Sequence, residues 1–312
     1  MTGSVTSPVI SVVGLRKSYG DREAVRGLDL EVGQGEIVAV LGPNGAGKTT
    51  TVEILEGYRD RSAGQVEVLG VDPAKPTRAW RSRIGVVLQS CMIEPLLTVE
   101  ESLRLYAGYY SAPRPVDEVV ELVGLGEQRR QRAGKLSGGQ QRRLDVALAI
   151  IGDPELLFLD EPTTGFDPAA RRAAWGMIAN LRQLGKTVLL TTHYLDEAEA
   201  LADRVVIVKD GRVVAEGAPG QLAGGEGTGA RIAFRMAEPS GGSALPPVFD
   251  RASRVGADGY ELTTADTVAD LAELCSWAVA AGVDLVALKV ARPSLEDVYL
   301  ELTGDPTERE VA

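Results

Sequence analysis

The run Gly42-Pro43-Asn44-Gly45-Ala46-Gly47-Lys48-Thr49-Thr50 brings together the groups that a phosphate chain needs. Its glycines let backbone N–H groups wrap an anion, and a helix starting at Lys48 would add its positive end. Lys48 offers a point charge for the β- and γ-phosphates, and the Thr49 hydroxyl is a ligand of the type Mg²⁺ takes. The pattern GxxxxGK[ST] is met in full. It follows a buried-strand run and precedes a helical one, the context that separates it from a chance glycine-rich turn.

Two acids end another apolar run, Leu156-Leu157-Phe158-Leu159-Asp160-Glu161. Asp160 stands where a metal-approaching carboxylate leaves a strand, and Glu161 is the candidate base that orients or deprotonates an attacking water. His193, the one histidine, follows the run Thr187–Thr192 and is expected at the same sheet edge, in contact with the terminal phosphate. Gln89 sits likewise just past residues 84–88; its amide can ligate Mg²⁺ or hold the attacking water. A second phosphate-seeking helix start lies at Leu136-Ser137-Gly138-Gly139-Gln140. Ser137 and Gln140 form a capping-box pattern, while the paired glycines leave first-turn N–H groups open to an anion. An ordinary capped helix would need only the serine.

These residues need a parallel sheet to hold them. Short apolar runs at 36–41, 84–88, 155–159 and 187–191 read as buried strands with helical patterns between them, which predicts an α/β core. Residues 9–15 and 25–32 read as strands, and 205–217 as a hairpin turning at Asp210-Gly211. Between Pro95 and Ile151 the pattern is helical, with a capping box at Thr98 and Glu101 and an amphipathic stretch at 116–123. After the glycine-rich stretch 217–229, a small α+β domain is expected. Its strands fall at 230–236, 248–255, 259–263 and 283–290, and its helices at 266–281 and 294–302, the last with Leu295, Val298, Tyr299 and Leu302 on its apolar face.

The 312 residues carry a formal net charge of −11, with 44% hydrophobic and 25% charged residues. That suits a soluble chain with a proper core and argues against nucleic acid as the main partner. The basic runs at 129–132 and 141–143 read as solvated helix faces. Cys91 and Cys275, far apart, read as buried free thiols in a reducing compartment. No run approaches the ~18 apolar residues of a membrane span, and the first residues lack the pattern of a signal peptide. Any membrane-spanning part is therefore expected on another polypeptide.

GPNGAGKTT, Gln89, LSGGQ, LLFLDEP, Asp167 and His193 occur in an order and spacing that resemble the ATP-binding subunit of ABC transporters. The likeness covers residues 9 to about 220. It implies a P-loop ABC-type α/β domain with an antiparallel β subdomain and an inserted α-helical subdomain. The division is then 1–222 for the nucleotide-binding domain (helical part about 95–151), 223–229 for a linker, 230–304 for the C-terminal domain and 305–312 for a frayed tail. The resemblance also implies ATP and Mg²⁺ as cofactors. Tyr19 would stack on adenine, Asp160 with Thr49 and Gln89 would serve the metal, Glu161 would be the base, and His193 would contact the γ-phosphate. Residues Thr164 to Asp167 would form the loop that crosses the dimer, with Phe166 in place of the usual leucine.

In such proteins Ser137, Gly138, Gly139 and Gln140 face the P-loop of a second copy. The expected partners are thus a second ATPase subunit, in a homodimer, and an integral permease docking near Gln89, Met92, Ile93, Leu96 and Leu97. Residues 294–304 resemble the tail of exporter-type, drug-resistance ABC ATPases, which points to export from the cytoplasmic face of the membrane. An importer ATPase, a soluble mechanoenzyme and a non-catalytic nucleotide-binding regulator are the alternatives. The single P-loop, the acidity and the full set of Lys48, Glu161 and His193 count against the last two.

Overall fold

The computed structural model describes residues 7–88, 93–224, 229–236, 247–256, 258–291 and 294–304. The chain divides into two compact units, Met1–Pro219 and Gly220–Ala312. The first opens with β1 (Ile10–Tyr19) and β2 (Arg22–Val32), an antiparallel pair. Ile10, Val12, Leu28, Leu30 and Val32 are buried at alternating positions, the period of a strand covered on one face. β3 (Ile37–Leu41) is buried at all its positions, as a strand covered on both faces must be. It delivers the chain through the phosphate-type loop into α1 (Lys48–Leu55).

β4 (Ala63–Val68) then returns to β1, completing a three-stranded sheet of order β2-β1-β4. α2 (Arg78–Arg81) is capped by Thr77 and drives Trp80 into the core, where its Nε1 donates to the carbonyl of Val68 at 2.8 Å. After β5 (Ile84–Val87) come the inserted helices α3 (Val99–Ala107), α4 (Val116–Leu122) and α5 (Gly138–Ile150). Leu103, Val119, Val120, Leu125 and Leu144 form their shared interior. Arg129 is not simply solvated: it pairs with Glu100 at 2.8 Å and with Asp117 at 2.6 Å.

β6 (Leu156–Asp160), α6 (Pro168–Gln183), β7 (Thr187–Thr191), α7 (Leu195–Leu201), β8 (Arg204–Lys209) and β9 (Arg212–Gly217) complete the core. The large sheet has the order β5-β6-β7-β3-β8-β9 and is parallel except for β9. The carboxyl ends of β3, β6 and β7 therefore share one edge, where ligands of open α/β sheets bind. The β8–β9 turn braces that edge: Gly211 N–H donates to the Ala46 carbonyl at 3.0 Å, and the Gly211 carbonyl accepts from Arg26 N–H at 2.8 Å.

A short α8 (Pro219–Leu222) leads to β10 (Ala230–Arg235), β11 (Ser253–Val255), β12 (Gly259–Thr264), α9 (Thr267–Ala281), β13 (Val286–Ala291) and α10 (Leu295–Thr303). The four strands form an antiparallel sheet of order β11-β12-β10-β13 over a core of Ile232, Phe234, Phe249, Leu262 and Leu274. The strand expected at 248–255 is a 3₁₀ turn over Pro247–Arg251 followed by the short β11. Adjacent Val248 and Phe249 are both buried, which a strand covered on one face cannot arrange. Cys275 is exposed rather than buried, because it lies one position round α9 from the inward Leu274. Cys91 lies outside the described residues.

Candidate functional site

The loop before α1 is built for close approach of its own backbone. Gly47 is the N-cap of α1 at φ 101°, and a Cβ there would lie 2.6 Å from the Ala24 carbonyl oxygen. Only glycine fits both the conformation and the space. α1 has no side-chain cap and no acidic residue in its first turn, so its orphan N–H groups carry an uncompensated positive end. Lys48 folds over the loop, its Nζ donating to the carbonyls of Gly42 and Pro43 (3.1 Å for the latter). Burial holds the Lys48 ammonium below its ordinary pKa, against the opposing pull of Glu161 and Asp160.

A cavity of about 460 Å³ opens here, lined by Tyr19, Asn44, Gly45, Gly47, Lys48, Thr49, Thr50 and Glu161. Gly42, Pro43 and Ala46 are not in its lining and form the underside of the loop. Tyr19 stands at the mouth, 42% exposed, with Lys17 and Arg59 at 5.1 and 5.4 Å from its ring centre. Both cations lie within cation–π reach of the ring, so a base stacking on it would compete with them. The glycine cradle, the bare helix end and the buried lysine fit a polyphosphate.

Asp160 and Glu161 emerge from β6 at the same edge. Thr191 Oγ1 donates to Asp160 Oδ1, and Glu161 N–H donates to the Thr191 carbonyl at 3.1 Å. Glu161 is held at φ 44°, a left-handed conformation that costs a non-glycine residue about 1 kcal/mol or more. Its Oε2 accepts from Thr164 Oγ1 at 3.0 Å, and its Oε1 lies 3.3 Å from His193 Nδ1. Thr49 and Asp160 offer hard oxygen donors. Among the described residues no three acid, histidine or cysteine side chains gather into a metal cage. That donor set suits Mg²⁺, which takes one or two protein oxygens and fills the rest from phosphate and water. Gln89 lies outside the described residues.

α5 begins with the full capping box. Ser137 Oγ accepts from Gln140 N–H at 3.3 Å, and Gln140 Oε1 accepts from Ser137 N–H at 2.9 Å. Gln140 and Asp167 are thus occupied within the chain: Asp167 caps α6, its Oδ1 accepting from Ala169 N–H at 2.9 Å and Ala170 N–H at 2.8 Å. Ser137, Gly138, Gly139 and Asp167 line a separate cavity of about 510 Å³. Glu161 is the residue that borders both cavities. The two phosphate-seeking helix starts of this chain line different cavities.

Buried charges escaped the sequence reading, Arg142 and Glu197 among them. Arg142, expected on a solvated face, is 8% exposed and donates to the carbonyls of Leu88, Asp160, Glu161 and Pro162. Glu197 is fully buried, and its Oε1 accepts from Thr163 Oγ1 at 2.8 Å and Trp175 Nε1 at 3.1 Å. Burial raises the Glu197 pKa despite those donors. A signal existed for both. Arg142 shares a helical row with buried Val146 and Ala149, and Glu197 shares one with buried Leu201.

Comparisons with known proteins converge. Residues 25–164 match the ABC transporter family, and residues 230–294 match an ABC transporter domain-containing protein-like C-terminal domain. A daunorubicin resistance ATP-binding protein of Streptomyces coeruleorubidus is 41% identical, over 95% of this chain and 96% of its own length. A Nod factor export ATP-binding protein I of Rhizobium leguminosarum bv. viciae is 36% identical over 99% of each chain. Among solved structures, an ATP-binding subunit of an ABC transporter is 28% identical with a TM-score of 0.62, covering 69% of this chain and 91% of that one. A dimeric ATP-binding cassette in a post-hydrolysis state with ADP and Pi is 26% identical with a TM-score of 0.60, covering 67% and 98%.

Proposed function

This chain belongs to the ATP-binding subunits of ABC transporters, and from that premise we propose that it powers export of a hydrophobic small molecule through a separate permease. It is an ATPase of an exporter; the finer assignments are ours. Within the P-loop, Asn44, Gly45 and Gly47 to Thr50 cradle the phosphates, Lys48 neutralises their charge, and Tyr19 stacks on the adenine. Thr49 and Asp160, with Gln89, would hold Mg²⁺, which would supply positive charge to the phosphates. Glu161 orients and deprotonates the attacking water, and His193, 3.3 Å from it, holds the γ-phosphate end of the site.

The observation that carries the rest is the separation of the two cavities. Ser137 to Gly139 line a cavity that holds no P-loop residue, which supports their serving a phosphate held by a second copy. Two chains then close around two ATP molecules, and hydrolysis releases them. ATP drives that closure only through contacts it makes better in the closed pair than in the open one.

Export as the direction is supported by relatives whose names speak of export and drug resistance. No helix among the described residues is long and apolar enough to cross a membrane. Relatives that are ATP-binding proteins of export systems support work as a peripheral subunit at the cytoplasmic face, docking its permease where Leu88, Ile93, Tyr106 and Tyr110 line a cavity of about 480 Å³. Leu96, 69% exposed, offers a further apolar side chain to the permease.

Glu161→Gln tests the reading. It is expected to bind Mg-ATP, lose nearly all turnover and accumulate as a dimer by light scattering. A variant that stays monomeric in Mg-ATP and hydrolyses normally refutes both the base and the sandwich.

A further inference from the structure

One side chain ties the first turns of α5 to the strand ends that carry the acids. Arg142 lies five residues beyond Ser137 and is 8% exposed. Its Nε donates to the Pro162 carbonyl at 3.0 Å, and its Nη2 donates to the carbonyls of Asp160 at 2.7 Å and Glu161 at 3.2 Å. Its Nη1 donates to the Leu88 carbonyl, at the end of β5, and stands 3.7 Å from Asp145 Oδ2. Four carbonyls on two separate stretches are thus gathered by one planar guanidinium. A lysine ammonium, a point donor on a flexible stem, cannot reproduce that fork.

What the fork holds matters. Glu161 sits in a left-handed conformation, and such a conformation persists only when its surroundings over-determine it. Its N–H is fixed from β7 by the Thr191 carbonyl, and its own carbonyl is fixed from α5 by Arg142. We propose that Arg142 is a positioning residue that holds the Glu161 peptide in its strained conformation and thereby ties the base to the signature helix. The inference deepens the composite-site reading. The N-terminus of α5 serves the nucleotide of the second copy, while Arg142, on the same helix, sets the base for this chain's own nucleotide. Seating of a phosphate on α5 is therefore felt at the opposite active site through one rigid helix and one side chain.

The test uses the full chain with Arg142→Lys, and with Arg142→Gln, which buries no charge, should the lysine variant not fold. Loss of hydrogen bonds from a charged donor predicts a fall in kcat of roughly tenfold to a hundredfold. The KM for ATP should stay within about threefold, because the P-loop is untouched. A merely structural arginine would lower the melting temperature and leave kcat per folded molecule unchanged; that result overturns the proposal. In the Glu161→Gln background, Arg142→Lys should still allow Mg-ATP to assemble the dimer, since the capping box that shapes the α5 terminus is intact. Failure of the double variant to assemble, where Glu161→Gln alone does, would mean that Arg142 acts on the placement of α5 rather than on the base. If Glu161→Gln itself does not assemble, the sandwich reading fails, while the kcat prediction for Arg142 is still decided by turnover alone.

Discussion

Helices α1 and α5 each turn an N-terminus into a cavity, yet they are finished in opposite ways. α1 starts from a left-handed glycine with no side-chain cap, so its first turn is complete only with a ligand. α5 carries a reciprocal Ser137–Gln140 box and holds its shape unaided. They share one trait that sets them apart from α3, α4, α7, α9 and α10: neither has an acid in its first turn. An acid there would neutralise the helix end and repel a phosphate. The capping box orders α5 using two neutral side chains, leaving its positive end uncancelled. In the proposed composite site, one helix start grips its own nucleotide and the other is a preformed surface offered to a neighbour.

The sharpest way to break that comparison is to poison each end in a different chain. Lys48→Ala should lower turnover on the order of 10³-fold, as loss of a buried charge-stabilising group does. Ser137→Arg alone should be similarly inactive, because both sites of its homodimer lose their second half. Mixing the two should restore activity, since one P-loop and one signature terminus remain intact and face each other. No recovery on mixing would mean that each chain completes its own site.

Alanine substitution of one glycine at each helix start, Gly47 and Gly138, should separate the ends more gently. Gly47→Ala forces a Cβ to 2.6 Å from the Ala24 oxygen and should cost about 1–3 kcal/mol of stability together with ATP binding. Gly138→Ala meets nothing within 4 Å. It should leave stability unchanged or raise it by about 0.5 kcal/mol, while cutting turnover about tenfold by crowding the partner's phosphate. Denaturant titration alongside steady-state kinetics reads both, and equal stability losses at the two positions would erase the distinction.

The smallest effect concerns the far end of α1. Glu56 is its C-cap, a carboxylate at the negative end of a helix, and burial beside Asp160 and Glu53 pushes its pKa from 4.5 to about 8. A raised pKa means that the folded chain holds the proton longer than the unfolded one. The stabilisation is full below pH 4.5 and is lost as the pH rises to about 8. Glu56→Gln should flatten that slope and make the nucleotide-free chain more stable at pH 8 by about 2 kcal/mol. Unfolding curves at pH 5 and pH 8 that show the same difference between variant and wild type would contradict this.

The candidate site was legible in the sequence wherever it is contiguous. Lys48, Thr49, Asp160 and Glu161 sit on or beside short apolar strands, and those strands form as read because both faces of the large sheet are covered. β4 went unread because Val66 and Val68 are its only buried residues, and its glycine and alanine give no strand signal. α2, a single turn, is fixed by the burial of Trp80 and not by its own pattern. Arg142 and Glu197 were missed for another reason: charged residues in helices default to solvent, and their burial depends on loops distant in sequence that supply carbonyls and hydroxyls. Cys275 shows the converse, since composition predicts where cysteines usually lie and not which side of α9 faces out.

The Asp210-Gly211 turn carries a practical corollary. Two residues at a hairpin tip, with φ of 49° and 78°, make the kind of site where an affinity tag, an inserted domain or a permuted terminus is ordinarily accepted. This tip hydrogen-bonds to Ala46 and Arg26, and a Cβ on Gly211 would lie 2.7 Å from the Ala24 oxygen, the same atom that Gly47 approaches. Anything spliced there would be spliced into the footing of the phosphate loop. An engineer choosing a fusion point from the sequence pattern alone would pick the turn that the enzyme can least spare.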